Sequence, residues 1–209
     1  MLTYKPLFYD IDVNLILGYA TAIFRISVTL MDKSTALIRL NDWSRQGRYV
    51  FTVADLAKIF HEDNPRTLHA GLQRLVADGL LERPVRGVYL FALSPQRGDA
   101  NTLEHIARAL RRGGYSYVSL ESALSEHGAI SQVPMDRLTV MTTGRRGTYK
   151  TRYGTIEFIH TRRRPIDLLA GVRDAGRPLR LATAQAAWRD LKRVGRNTQL
   201  VDTRELDNG

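Results

Sequence analysis

The chain contains no cysteine among its 209 residues, which excludes disulfide bonds, thiolate metal sites and cysteine nucleophiles. It also lacks collagen-like, coiled-coil and low-complexity patterns. Hydrophobic residues make up 44% of the chain and charged residues 25%, as is usual for a protein that buries a core. We therefore expect a globular protein, with room for one large domain or two small ones.

Acidic residues are scarce relative to basic ones: 21 Asp and Glu stand against 31 Lys and Arg, a net charge of +10. Such an excess favours a polyanionic partner, either nucleic acid or an acidic protein. Residues 31–94 carry nine basic and seven acidic residues, whereas residues 95–209 carry twenty and twelve. Most of the positive charge therefore belongs to the second half of the chain.

The first thirty residues lack an uninterrupted apolar run. Asp12, Asn14 and Arg25 interrupt the stretch from Ile11 to Leu30, whereas a membrane span needs about 20 largely uncharged apolar residues. The early basic region and small-residue cleavage site of a secretory signal are also missing. Met31 resembles a natural start followed directly by a helix. We expect residues 1–30 to be an upstream extension or an accessory element, and the protein to be cytoplasmic.

Residues 31–94 show the order helix, helix, short turn, helix, two-stranded ribbon, which predicts a winged helix-turn-helix domain. Ser34 can cap the first helix, Thr52 and Asp55 form a capping box at the second, and Pro65 suits the first position of the third. Three apolar stripes with a period near 3.6 residues support these helices. Their predicted buried positions are Ala36, Leu37, Leu40, Trp43, Val53, Leu56, Ala57, Phe60, Leu68, Leu72, Leu75, Val76 and Leu80.

The third helix of a winged helix lies in the DNA major groove, where its first residues reach base edges. Its polar side predicts base contacts from Arg66, Thr67, His69 and Gln73, and support of the duplex from Arg74 together with Arg83 and Arg86 of the wing. Two alternatives stay open at this point. The same fold can be a protein-binding module, or the polar face can simply be solvated.

Residues 95–194 alternate helices and strands after a linker at residues 94–99, which predicts an α+β domain around a small sheet. Residues 195–209 are expected to be a frayed polar tail. Cations crowd the predicted hairpin region and the residues after it. They are Arg145, Arg146, Lys150, Arg152, Arg162, Arg163 and Arg164. This surface could neutralise phosphates, pair with carboxylates of an acidic protein, or be solvated.

No pattern of catalytic or metal-binding residues stands out. The five histidines include no His-x-x-x-His spacing. The run from Gly144 to Thr151 fails as a phosphate-binding loop because Tyr149, where that loop needs glycine, precedes Lys150. Glu157 and His160 are close in sequence, but a lone pair of this kind is usually structural. We expect no enzymatic activity, no cofactor and no metal ion.

Three segments resemble the AbiEi-type antitoxins. The run YSYVSLESALSEHG over residues 115–128 is similar to a segment of that family, and so are LTVMTTGRRG over 138–147 and YGTIEFIH over 153–160. Gly87-Val88-Tyr89 after the wing also fits. The resemblance covers about residues 35–194 and is most specific over residues 115–160.

The resemblance implies an antitoxin of a type IV toxin–antitoxin system. Its winged helix would repress its own operon by binding promoter DNA, and its C-terminal domain would counteract a nucleotidyltransferase-like toxin. The segment over residues 182–190 departs from the family pattern, because it lacks the proline, glutamate and lysine usual there. The alternative to this assignment is a protein-interaction module that neutralises a partner without specific DNA binding.

Overall fold

The computed structural model describes residues 31–131 and 136–206. The predicted extension over residues 1–30 lies outside the described residues, as do residues 132–135 and 207–209. The described chain has an α+β architecture, with two sheets of three and six strands. This confirms the predicted fold class.

The N-terminal part is a winged helix-turn-helix. Its three-stranded antiparallel sheet has the order β1-β3-β2. The strand β1 is absent from the prediction, because a three-residue strand carries too little pattern to be recognised. The elements are α1 (Lys33–Arg45), β1 (Val50–Thr52), α2 (Val53–Ile59), α3 (Pro65–Ala77), β2 (Leu81–Val85) and β3 (Val88–Phe91).

The helix starts follow from their capping side chains. Asp32, not Ser34, caps α1, since its carboxylate accepts from the backbone N–H of Thr35 at 3.1 Å. The predicted capping box of α2 is present: the Thr52 hydroxyl accepts from the Asp55 N–H, and the Asp55 carboxylate accepts from the Thr52 N–H. Both of these helices therefore begin where a side-chain oxygen accepts from a free N–H group of the first turn.

The C-terminal part is built on the six-stranded sheet, whose order is β6-β7-β5-β4-β9-β8. The pairs β5–β7 and β4–β9 are parallel, and the other three pairs are antiparallel. The elements are α4 (Thr102–Leu110), β4 (Ser116–Val118), α5 (Leu120–Glu126), β5 (Arg137–Thr142), β6 (Gly147–Thr151), β7 (Gly154–His160), α6 (Pro165–Leu169), β8 (Val172–Arg173), β9 (Arg180–Ala182), α7 (Ala184–Val194) and two 3-10 helices (Thr198–Leu200 and Thr203–Leu206).

Two apolar clusters form the cores of the two parts. Most of the predicted stripe of the winged helix is buried, but Leu37 is 40% exposed and Ala57 is exposed, so these two predictions are wrong. Both lie on the edge of their stripe, where the helix turns its side chains towards water. Val88 of β3 packs into the core of the C-terminal part, so the two cores adjoin.

The prediction of a frayed tail is wrong for residues 196–206. The Arg196 guanidinium donates to the carboxylates of Glu121 and Glu157, and Leu206 is only 7% exposed against the C-terminal core. The backbone N–H of Asp202 also donates to the carbonyl of Ala129 at 2.8 Å. The segment is polar in sequence, yet long-range contacts hold it on the domain.

The two parts are joined by direct contacts as well as by the chain. The Tyr49 and Thr102 hydroxyls lie 3.0 Å apart in a buried hydrogen bond, and the Tyr153 hydroxyl donates to Glu82 at 2.7 Å. Ser94, at the start of the expected linker, is buried and accepts a hydrogen bond from Ser44. These contacts fix the orientation of the winged helix relative to the large sheet.

Among residues 31–131 and 136–206, no helix combines the length and hydrophobicity needed to cross a bilayer. The same described residues hold no group of three His, Asp or Glu side chains placed to bind a metal ion.

Candidate nucleic-acid interface

The third helix of the winged helix is fixed at its start and along its buried side. The Asn64 side chain accepts from the backbone N–H groups of Arg66 and Thr67, both at 3.0 Å, and Pro65 occupies the first helical position. On the inner side, Leu68, Gly71, Leu72 and Leu75 are buried. The outer side is thereby presented to solvent in a defined orientation.

Four of the predicted DNA-contacting side chains share that outer side: Arg66, His69, Gln73 and Arg74 are all exposed. Within the described part of the chain, neither arginine forms an ion pair. The spacing of Arg66, His69 and Gln73 by three, four and seven residues places these three on one helical face, and Arg74 lies beside them. The face therefore offers two unneutralised guanidinium groups and an amide, groups that suit guanine, phosphate and adenine.

Two side chains at the start of α3 are partly used by the helix itself. The Thr67 hydroxyl donates to the Asn64 carbonyl at 3.0 Å, which leaves only its oxygen lone pairs free. The His69 Nδ1 lies 2.8 Å from the Pro65 carbonyl oxygen. Because a carbonyl only accepts, Nδ1 carries a proton, and in the neutral ring Nε2 is left as an acceptor facing outward.

The wing carries its two predicted arginines in exposed positions. Arg86 lies in the turn between β2 and β3, next to Gly87, whose φ of 83° suits glycine. The Arg83 guanidinium lies 5.9 Å from the centre of the Tyr89 ring. Both side chains are available to a phosphate backbone, and stacking limits the orientations of Arg83.

The cations predicted for the hairpin region are not brought together in one surface. Arg145 and Arg146 lie in the loop from β5 to β6, whereas Lys150 and Arg152 lie at the opposite end of β6. Arg152 pairs with Glu82 of the winged helix at 3.1 Å. One end of the hairpin therefore contacts the winged helix, and the other end carries the exposed Arg145 and Arg146.

The three arginines after β7 differ in their surroundings. Since β5 and β7 are parallel, their carboxyl ends meet, and Arg162 lies exposed at the same sheet edge as Arg145 and Arg146. Arg164 forms a two-pronged ion pair with Asp167 at 2.9 and 3.0 Å. Arg163 is half-buried. Only Arg162 therefore adds an unneutralised, exposed charge to this edge, which we call the distal basic edge (Arg145, Arg146 and Arg162).

Arg111 holds the loop of the distal basic edge, a role absent from the sequence-based prediction. Its Nε donates to the Arg145 carbonyl at 2.8 Å, and its guanidinium lies 4.1 Å from the centre of the Phe158 ring. The His160 ring nitrogen also lies 2.8 Å from the Gly144 carbonyl oxygen. The loop is thus anchored from two sides, while the Arg145 and Arg146 side chains stay exposed.

A buried carboxylate links the two parts of the molecule beside the start of α2. Asp55 accepts from Arg48 and from Arg112, both at 2.5 Å, and only Arg112 comes from the C-terminal part. Burial raises the pKa of Asp55, but the hydrogen bonds from Thr52 and Arg112 and the charge of Arg48 outweigh burial and lower that pKa overall. We call Asp55, Arg48 and Arg112 the interdomain clamp.

Glu157 and His160 do not form a pair. Glu157 accepts from Arg196 and Arg137, and hydrogen bonds from Arg196 lower its pKa despite partial burial. The His160 ring instead contacts the Gly144 carbonyl. Both side chains therefore support the sheet edge.

The comparisons with known proteins concern mainly the winged helix. Residues 39–92 match the family described as "Transcriptional regulator, AbiEi antitoxin". The match runs from α1 to the end of the wing. For this segment it confirms the predicted resemblance to AbiEi-type antitoxins, a family of regulators. Residues 115–160 lie outside the match, so the resemblance over those motifs stays a prediction.

A search of curated proteins found no match. Among solved structures, the RV2827C protein from Mycobacterium tuberculosis is similar, with 14% identity and a TM-score of 0.49. The similarity covers 87% of this chain and 72% of that one.

Proposed function

We propose that the protein is an antitoxin and autorepressor that binds the promoter DNA of its own operon through α3 and the wing. The observation that carries this proposal is the outer face of α3, where Arg66, His69, Gln73 and Arg74 are exposed on a winged-helix scaffold. The match of residues 39–92 to AbiEi-type regulators supports the same role. We assign the protein a regulatory role and no enzymatic one.

The position of each side chain determines whether we assign it to base contacts or to phosphate contacts. Arg66, His69 and Gln73 lie in the first two and a half turns of α3, the part that reaches base edges in a winged helix. Thr67 is only partly exposed, and its hydroxyl oxygen is proposed to accept a hydrogen bond from the DNA beside these three side chains. Arg74, Arg83 and Arg86 lie further along the helix and on the wing, where phosphates are the nearer targets.

The proposal is tested by Arg66→Ala combined with Gln73→Ala in the full chain. Affinity for the DNA upstream of the gene is compared with affinity for scrambled DNA of equal length. We expect each of the two substitutions to reduce the preference by about 1–3 kcal/mol, the usual discrimination supplied by one side chain that reads a base. The matched control is Gln185→Ala with Arg189→Ala, which removes the same chemical groups from an exposed face of α7. An unchanged preference in the α3 variant would contradict base reading by this face.

The antitoxic activity is proposed to belong to the C-terminal part, acting against a nucleotidyltransferase-like toxin. The feature that supports it is the distal basic edge, whose loop is anchored by Arg111 while its cations are exposed. Such an edge can pair with carboxylates of a protein or with phosphates of nucleic acid. The distal basic edge shares no residue with α3 or the wing, so both surfaces can act in one molecule.

Growth rescue by the full chain separates the two activities. The isolated C-terminal part is unsuitable, because Val88 and Tyr49 of the winged helix contribute to its packing. We expect Arg145→Glu with Arg146→Glu to abolish rescue, and Arg173→Glu with Arg189→Glu, the same charge change at other exposed sites, to preserve it. Rescue that survives reversal of Arg145 and Arg146 would contradict a role for this edge.

Growth rescue and the DNA-affinity comparison together test the alternative of a protein-interaction module without specific DNA binding. The winged helix itself carries a net charge of only +2, which leaves that alternative physically reasonable. If wild-type protein rescues growth yet shows no preference for the upstream DNA, the alternative is favoured. If it shows the preference, the alternative is contradicted.

A further inference from the structure

A cleft lies between the winged helix and the C-terminal part, away from α3. Its volume is about 780 Å³, within the size range of small-molecule sites. Its walls come from the α1–β1 connection, from the end of α4 and the residues after it, and from the β8–β9 connection. Side chains remote in sequence therefore meet here, and no local sequence motif predicts the site.

The cleft is lined by six arginines and two carboxylates. The carboxylates are Asp55 and Asp174. The arginines are Arg48, Arg108, Arg111, Arg112, Arg177 and Arg180. Asp55 alone is shared by two of the guanidinium groups in the interdomain clamp, so the carboxylates of the cleft do not balance its cations.

Three of the six arginines have no carboxylate partner within residues 31–131 and 136–206. Arg108 and Arg180 are exposed and form no ion pair there. Arg111 donates only to backbone carbonyls and to the Tyr149 hydroxyl. Arg111 is thus oriented by neutral partners, whereas Arg108 and Arg180 are exposed, and no carboxylate neutralises any of the three charges within the described residues.

Tyr115 and His105 also line the cleft. The Tyr115 hydroxyl is buried and has no hydrogen-bond partner among the described residues. His105 is half-buried against Tyr49, and burial, followed by the positive charge of Arg108, lowers its pKa. The Tyr115 hydroxyl is shielded from solvent, and the smaller contribution of Arg108 to the His105 shift agrees with the excess of cations in the cleft.

We propose that this cleft binds an oligophosphate anion, either inorganic pyrophosphate or the phosphate chain of a nucleotide. Planar guanidinium groups match phosphate oxygens in two-pronged hydrogen bonds, and three segments supplying them favour a ligand longer than a single phosphate. Because the walls belong to both parts of the molecule, the bound ligand strengthens the contact between them. The site excludes α3, so this binding is independent of base reading by the winged helix.

The test is calorimetric titration of the full chain with inorganic pyrophosphate and, separately, with ATP, at fixed ionic strength. The variant is Arg108→Ala with Arg180→Ala, which removes two exposed cations without an ion-pair partner and is expected to stay folded by circular dichroism. The control is Arg173→Ala with Arg189→Ala, two exposed arginines that do not line the cleft.

We expect one saturable site in the wild type, an affinity at least about tenfold weaker in the cleft variant, and wild-type affinity in the control. Equal affinities for the two probes support recognition of the phosphate chain alone. Clearly tighter binding of ATP supports recognition of a nucleotide. Failure of both probes to saturate, or equal affinity in wild type and cleft variant, would overturn the proposal.

Discussion

Replacing Asp55 with Asn should destabilise the protein far more than its position near the surface suggests. The carboxylate is 7% exposed and is the shared acceptor for Arg48 and Arg112 in the interdomain clamp. Asn keeps the shape and one acceptor oxygen for the Thr52 N–H but loses the charge. Two guanidinium groups are then left facing each other without a counter-ion.

The expected loss follows from how far each partner is buried. Breaking a buried ion pair costs about 3–5 kcal/mol. Arg48 and Arg112 are 42% and 52% exposed, so both can regain part of their hydration, and the loss falls to about 2–3 kcal/mol for Asp55→Asn. Asp55→Ala also removes the capping box of α2 and should cost about 1 kcal/mol more.

Urea unfolding followed by circular dichroism measures this prediction. The control is Asp42→Asn, which removes the same charge from an exposed position of α1 that forms no ion pair within the described residues. The control should lie within about 0.5 kcal/mol of wild type. A loss below about 0.5 kcal/mol for Asp55→Asn, the size of an exposed ion pair, would refute the reasoning.

Three further predictions concern the backbone, the wing and pH. Gly154→Ala should lower the free energy of unfolding by more than about 2 kcal/mol, because an added Cβ would lie 2.5 Å from the Asp136 carbonyl oxygen. Gly176→Ala has open space around the added Cβ and should cost about 1 kcal/mol. Denaturant titrations of both variants measure the difference. Arg83→Ala with Arg86→Ala should reduce the slope of log affinity against log salt concentration by up to about 2, while the preference for the upstream DNA is preserved. An unchanged slope would mean that the wing does not contact phosphates. Since the folded-state pKa values of Asp55 and Glu157 lie below their unfolded values, their stabilisation is complete above about pH 5 and is lost as pH falls below about 4. The urea midpoint should therefore drop between pH 7 and pH 3, and a constant midpoint would contradict this assignment.

The winged helix could be predicted because its signals are local. The Thr52–Asp55 capping box, Pro65 at the start of α3 and the apolar period of α3 each lie within a few residues of the element they specify. The exposed face of α3 follows from the same period. Leu37 shows the limit of this reasoning, because apolar periodicity predicts which side of a helix is buried better than it predicts how many neighbouring residues that buried side includes.

The remaining features depend on residues far apart in the sequence. Strands β1, β8 and β9 have two or three residues each and are held in place by pairing with other strands and by long-range packing of their side chains in the two cores. Arg196 docks on Glu121 and Glu157 across more than 35 residues, so a polar tail becomes a packed segment. The arginine cleft likewise draws on three separate segments, which no motif search would place together.

The central claim is that the protein prefers its own upstream DNA. The most direct measurement is a gel-shift titration of wild-type protein with that DNA and with scrambled DNA of equal length, at two salt concentrations. We predict that affinity for both falls with salt while the preference for the upstream DNA persists at the higher concentration. Equal, salt-sensitive binding to both DNAs would contradict the claim, because it would mean that the net charge of +10 acts without sequence recognition.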